Sequence, residues 1–192
     1  MHMQLKEEAI DYRDGDAELS GLLVWDGHEC NHPGVLVVHG GAGLDDHAKT
    51  RARQLAEVAL LVFTCDMYGK AVIGDRERVM SCIHELVANR DTIARRAEAG
   101  VDVLTTHPLF DGNIAAVGYC FGGRAALELA RTAADLVGVI SVHGSLETAQ
   151  PARAGTSRPR CSSARCSGSA RPDRATHCLH RRDERRGGPT TS

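Results

Sequence analysis

Unbroken apolar runs alternate along this chain with segments whose apolar residues recur at helical spacing. Val35-Leu36-Val37-Val38-His39 follows Pro33-Gly34, and its β-branched, continuously apolar character predicts a strand of a parallel sheet covered on both faces. Leu60–Cys65, Ile114–Gly118 and Leu136–Val142 have the same character. Ala17–Trp25 reads as an earlier strand, closed by the hairpin-type pair Asp26-Gly27. Between these runs, Ala48, Ala52, Leu55 and Ala59 share one face of a helix expected from about His47 to Ala59, capped by Asp45-Asp46. Val79, Ile83 and Leu86 mark a second helix from about Asp75. Ile93, Ala97, Val101 and Leu104 mark a third, near Thr92 to Thr106. Strands alternating with helices predict an α/β fold with a mostly parallel sheet and helices on both faces. Chemistry in such sheets lies at the carboxyl ends of the strands, and His39, Asp66, Cys120 and His143 all fall at that edge.

The segment from Ile114 to Leu127 combines a buried strand, a glycine-flanked turn with a thiol at its apex, and a further helix reaching about Arg131. Gly118-Tyr119-Cys120-Phe121-Gly122 has the form of the G-x-S-x-G nucleophile elbow, with cysteine in place of serine. The glycines allow close backbone approach at the turn. The helix N-terminus behind the thiol favours an anion there, and the thiolate is the reactive form.

Three motifs in order carry a family resemblance: Gly43-Leu44-Asp45-Asp46-His47 opening a helix, Cys65-Asp66-Met67-Tyr68-Gly69 at a strand end, and Gly118-Tyr119-Cys120-Phe121-Gly122-Gly123. Together they resemble the dienelactone hydrolases over roughly Leu19 to Leu146, with Val142-His143-Gly144 fitting the following strand. The resemblance implies an α/β-hydrolase fold and a Cys–Asp–His triad that opens lactones or esters through a thioester, without metal or organic cofactor. Cys120 aligns with the nucleophile, and the backbone N–H groups of Gly41 and Phe121 would form the oxyanion hole. The best-studied branch places a glutamate after the strand that here ends at His39. Gly40 stands there instead, which points to a lactone or ester other than dienelactone.

Composition divides the chain. From Pro151 onward there are ten arginines against Asp173, Asp183 and Glu184. Of the chain's 23 basic and 25 acidic residues, 13 and 22 therefore precede that point. Residues 1–150 are expected to form an incomplete α/β-hydrolase core. Residues 151–192, with Leu179 their only large aliphatic side chain, read as an Arg/Ser/Pro-rich disordered tail. The family's triad acid and histidine follow two further strands, which this tail is not expected to supply. The C-terminal strands are thus expected to be lost, leaving an unpaired apolar edge and an impaired hydrolase whose acid and base are unassigned. One permissible coding of Thr156–Ser163, read one frame over, gives Ile-Lys-Ala-Pro-Val-Leu-Val, a strand-like sequence. A frameshift near Gly155 is the expectation that follows.

Other candidates weigh less. The acidic, polar Met1–Asp16 segment resembles no signal peptide, and no run is long enough to span a bilayer. Both features suggest a cytoplasmic protein with no membrane partner, in which Cys65 and Cys82 are small buried residues. His28, Cys30 and His32 alternate, but two neighbouring ligands on a polar turn do not close a tetrahedral zinc site. Cys161, Cys166, Cys178 and His180 lack zinc-finger spacing, and His84-Glu85 lacks a second histidine. Gly40-Gly41-Ala42-Gly43 lacks the Lys-Ser/Thr of a phosphate loop. His143, oriented by Glu147 or Asp66, could stand in as a base, as could His177 or His180; His39 reads instead as a residue that shapes the loop at Gly40. The alternative function is a non-catalytic α/β scaffold whose basic tail binds nucleic acid or an acidic partner. No aromatics interleave those arginines for base stacking, which disfavours nucleic acid. Oligomeric state is not legible, and the expected ligand is a small-molecule ester or lactone.

Overall fold

The computed structural model describes residues 4–70, 72, 75–132 and 134–146, and the backbone of 160–164. Its strands are β1 (Lys6–Asp14), β2 (Ala17–Trp25), β3 (His32–Val38), β4 (Leu61–Cys65), β5 (Phe110–Tyr119), β6 (Gly138–Val142) and β7 (Arg160–Ala164). Its helices are α1 (Asp46–Ala56), α2 (Arg76–Ala88), α3 (Arg90–Thr105) and α4 (Phe121–Arg131). The strands form one sheet in the order β1-β2-β4-β3-β5-β6-β7. β1 and β2 are antiparallel to their neighbours, and every pairing from β4 to β7 is parallel. This is the α/β-hydrolase arrangement.

The apolar run of β3 serves both faces. Val35 and Val37 pack with Ala52 and Ala56 of α1 on one side. Leu36 and Val38 pack with Ile93, Ala97 and Leu104 of α3 and Ala125 and Leu129 of α4 on the other. Helix starts follow their caps: the Asp45 carboxylate accepts from the Ala48 N–H at 3.0 Å, and Asp75 accepts from Glu77 and Arg78. The fourth helix is pressed against the strand ends. A Cβ on Gly118 would lie 1.9 Å from the Gly122 carbonyl oxygen, and one on Gly122 would lie 2.2 Å from that of Val38. Only glycine fits either position.

Three expectations change. The Asp26-Gly27 pair joins no hairpin, because β4 lies between β2 and β3; Asp26 instead accepts from the His28 N–H at 3.0 Å in a local turn. The true hairpin is β1–β2, closed at Gly15 with φ of 58°. The acidic N-terminal stretch is therefore a strand, with Ile10 and Tyr12 alternating inward between charged neighbours. The edge of β6 is not unpaired either: β7 runs parallel to it from Arg160 to Ala164. Ladder hydrogen bonds need only backbone N–H and C=O groups, so a polar sequence can make them. The expected disorder elsewhere beyond residue 150 lies outside the described residues. Among the described residues no helix is long and apolar enough to cross a membrane.

Gly122→Ala is expected to cost about 3 kcal/mol of stability by driving α4 off β3. A urea midpoint equal to that of the parent would contradict this packing.

Candidate active site

Cys120 is the single joint between β5 and α4, with φ of 52° and ψ of −113°. Positive φ is unfavourable for a residue with a Cβ and concentrates at functional sites. The joint is held from both sides: the Cys120 N–H donates to the Val142 carbonyl at 2.8 Å, and its own carbonyl accepts from the Gly123 N–H at 3.0 Å. The thiol is exposed. Behind it, the Phe121 and Gly122 N–H groups open α4, where the first N–H groups of a helix find no acceptor a turn back.

The loop after β3 faces this joint. The turn from Gly40 to Gly43 is closed by the Gly43 N–H on the Gly40 carbonyl at 3.2 Å. His39 is fully buried, and its two ring nitrogens have fixed partners. The Met67 N–H can only donate, so Nε2 accepts from it at 3.0 Å. The ring proton therefore sits on Nδ1 and is given to the Gly40 carbonyl at 2.8 Å. Burial, partly opposed by the Gly40 bond and the Asp66 charge, pushes the His39 pKa down and keeps the ring neutral. His39 thus shapes the loop, as its sequence position suggested.

Tyr68 joins the parts. Its ring lies edge-on to His39 at 4.7 Å and tilted against Phe121 at 5.7 Å. Its hydroxyl reaches the Gly40 and Gly41 carbonyls at 3.4 and 3.3 Å. Burial, then the nearby Cys82 and Cys120 thiols, pushes the phenol pKa up, so the hydroxyl keeps its proton. Tyr68 is itself placed by Asp66, which accepts from the Tyr68 N–H at 2.9 Å and the Gly69 N–H at 3.0 Å. From below, the Tyr12 hydroxyl accepts from the Asp66 N–H at 2.8 Å and donates to the Asp66 carbonyl at 3.0 Å. Arg96 donates to the Met67 carbonyl, and both Arg96 and Arg95 pair with buried Asp14. Sequence reasoning gave neither Tyr68 nor Tyr12 a role in the site. The signal for Tyr68 was its position at the carboxyl end of a buried strand.

Cys120, Gly41 and Phe121 are therefore gathered around one tyrosine, and of the substitute bases His143 directly follows Val142, whose carbonyl accepts from the Cys120 N–H. His143 ends β6 with φ of 60° and makes no hydrogen bond or ion pair with another described residue. The Asp66 carboxylate is engaged in its own loop, and Glu147, His177 and His180 lie outside the described residues. His32 is not the surface residue expected: it is buried, with Nδ1 3.2 Å from the Ala59 carbonyl and Nε2 3.3 Å from that of His28. Cys30 Sγ lies 3.7 Å from the same Nε2. Cys65 is buried as expected, and burial raises its pKa, whereas Cys82 is only half-buried.

Because folding lowers the His39 pKa, the unfolded chain takes up this proton first as pH falls. The stability His39 provides is complete above its ordinary value of 6.5 and is lost as pH drops below it. His39→Gln is expected to flatten the dependence of the urea midpoint on pH between about 6.5 and 5, compared with the parent. Parallel slopes would contradict a neutral, buried His39.

The model of the dienelactone hydrolase family matches residues 19–162. No curated protein matches the chain. Among solved structures, a protein named m3DLH is 36% identical with a TM-score of 0.77, over 83% of this chain and 68% of its own. A dienelactone hydrolase-like promiscuous phosphotriesterase from metagenomic libraries is 39% identical with a TM-score of 0.75, over 88% and 70%. The dienelactone hydrolase of Anabaena variabilis, 23% identical over 74% and 65% with a TM-score of 0.59, shares the fold. Elbow, strand order, family model and these likenesses agree, and the chain belongs to the dienelactone hydrolase family of hydrolases.

Proposed function

We propose that this hydrolase cleaves a lactone or carboxylic ester through a thioester on Cys120. The Cys120 thiolate attacks the carbonyl carbon and forms the C–S bond while the carbonyl oxygen becomes an oxyanion. The Gly41 and Phe121 N–H groups stabilise that oxyanion, each worth about 3 kcal/mol in the transition state. Collapse breaks the C–O bond and expels an alkoxide, which takes its proton from solvent water. Attack of water on the thioester carbonyl then breaks the C–S bond and returns the Cys120 sulfur. The observation that carries this reading is the strained, exposed Cys120 at the head of α4, with the Gly40–Gly43 turn opposite. The promiscuous phosphotriesterase among its likenesses adds phosphotriesters to the electrophiles worth offering. The setting is cytoplasmic.

The acid and base of the triad are unassigned in this chain. Without them the thiol lacks a general base and the leaving alcohol lacks a proton donor, so turnover of unactivated esters falls by orders of magnitude. A frameshift near Gly155 accounts for their loss. In the permissible coding given above, the shifted frame would put the apolar Val-Leu-Val triplet on the codons of Arg160 to Ser163, residues that lie in β7. The coding DNA tests this: the alternative frame should run on without an early stop and encode a further Asp and His. A stop within it refutes the frameshift.

For the nucleophile, p-nitrophenyl acetate should acetylate Cys120 in the intact chain, read by peptide mass, and Cys120→Ala should abolish the label. Equal labelling of the variant would refute the assignment.

A further inference from the structure

We infer that Tyr68 is a positioning residue for the oxyanion hole, acting with His39 through the Gly40–Gly41 peptide. The inference rests on the reading of Gly41 as an oxyanion donor. In a trans peptide the carbonyl of one residue and the N–H of the next point in opposite directions, and there is no cis peptide among the described residues. Whatever holds the Gly40 carbonyl therefore sets the direction of the Gly41 N–H. Three donors converge on that carbonyl: His39 Nδ1–H at 2.8 Å, the Gly43 N–H at 3.2 Å and the Tyr68 hydroxyl at 3.4 Å. His39 and Tyr68 hold it on their side of the loop, so the Gly41 N–H is turned away from them. Among the described residues that N–H has no acceptor.

Tyr68 adds what His39 cannot. Its hydroxyl proton is shared with the Gly41 carbonyl at 3.3 Å, so two successive peptides are held by one group. Its ring also touches Phe121, whose N–H is the other donor assigned to the hole. The rotation of the loop peptides is thus referred to the head of α4 through one rigid side chain. Tyr68 performs no proton transfer in this scheme. It keeps the donors aimed before the oxyanion forms, which is the condition under which such donors are effective.

Two reactions at the same thiol separate this role from a general effect on the fold. Acetylation by p-nitrophenyl acetate passes through a tetrahedral oxyanion: the C–S bond forms and p-nitrophenolate departs with the electron pair of the broken C–O bond. Alkylation by iodoacetamide displaces iodide at a saturated carbon and forms no oxyanion. Tyr68→Phe keeps the ring and removes the hydroxyl. It should slow acetylation of Cys120 about 3- to 10-fold, the range of one modest hydrogen bond, while the alkylation rate stays at the parent value. Acetylation at the parent rate would overturn the inference. Equal slowing of both reactions would also overturn it, because it would mark a change in the thiol or the fold. Acetylation that persists in Cys120→Ala would overturn the nucleophile assignment, and this inference with it.

Discussion

The whole site depends on three backbones lying closer together than side chains allow. Gly118 and Gly122 bring the end of β5, the first turn of α4 and the end of β3 into direct contact, and Gly123 and Gly144 do the same against Ser141 of β6. Without this approach the thiol would still sit at the end of a strand, but not beside the loop that follows the neighbouring strand. Parallel pairing of β3 with β5 in register, Val38 opposite Gly118, supplies the rest: two strand ends at the same height, each followed by a turn. The chemistry is placed by topology first and by side chains second.

Polar groups behind the catalytic edge are then arranged for rigidity. Deep burial of an imidazole, a phenol and a carboxylate would be costly if any were unpartnered. His39, Tyr68 and Asp66 avoid that cost because the loops supply backbone partners for each: the Gly40 carbonyl and Met67 N–H for His39, the Gly40 and Gly41 carbonyls for Tyr68, and the Tyr68 and Gly69 N–H groups for Asp66. Two titratable rings are in this way kept neutral and used as spacers.

The central sheet was legible in the sequence because its strands are apolar on both faces and because aspartates cap α1 and α2. Elements at the margins were not. β1 reads as an acidic stretch, since Ile10 and Tyr12 are its only large apolar residues to pack inward and its partner β2 supplies most of the apolar surface. β7 could not be read at all, because a strand whose sequence is Arg-Cys-Ser-Ser-Ala is selected by the ladder beside it and not by its side chains. At the site, Cys120 was legible through its glycines. Tyr68 was not, since its role depends on where the Gly40 turn folds back, which no spacing encodes. His32 misled because alternation with His28 and Cys30 says nothing of the carbonyls that end up around it.

The outermost strand has an unexpected reach. β1 is mostly solvent-exposed and lies at the far side of the sheet from Cys120, yet its Tyr12 clamps both backbone groups of Asp66 and its Asp14 pairs with Arg96, which donates to the Met67 carbonyl. The start of the chain is thereby the foundation of the Tyr68 loop. Trimming the first fourteen residues, or fusing a bulky tag tightly against Lys6, would leave Cys120 and its helix in place while loosening the ground on which the opposite wall of the candidate site stands.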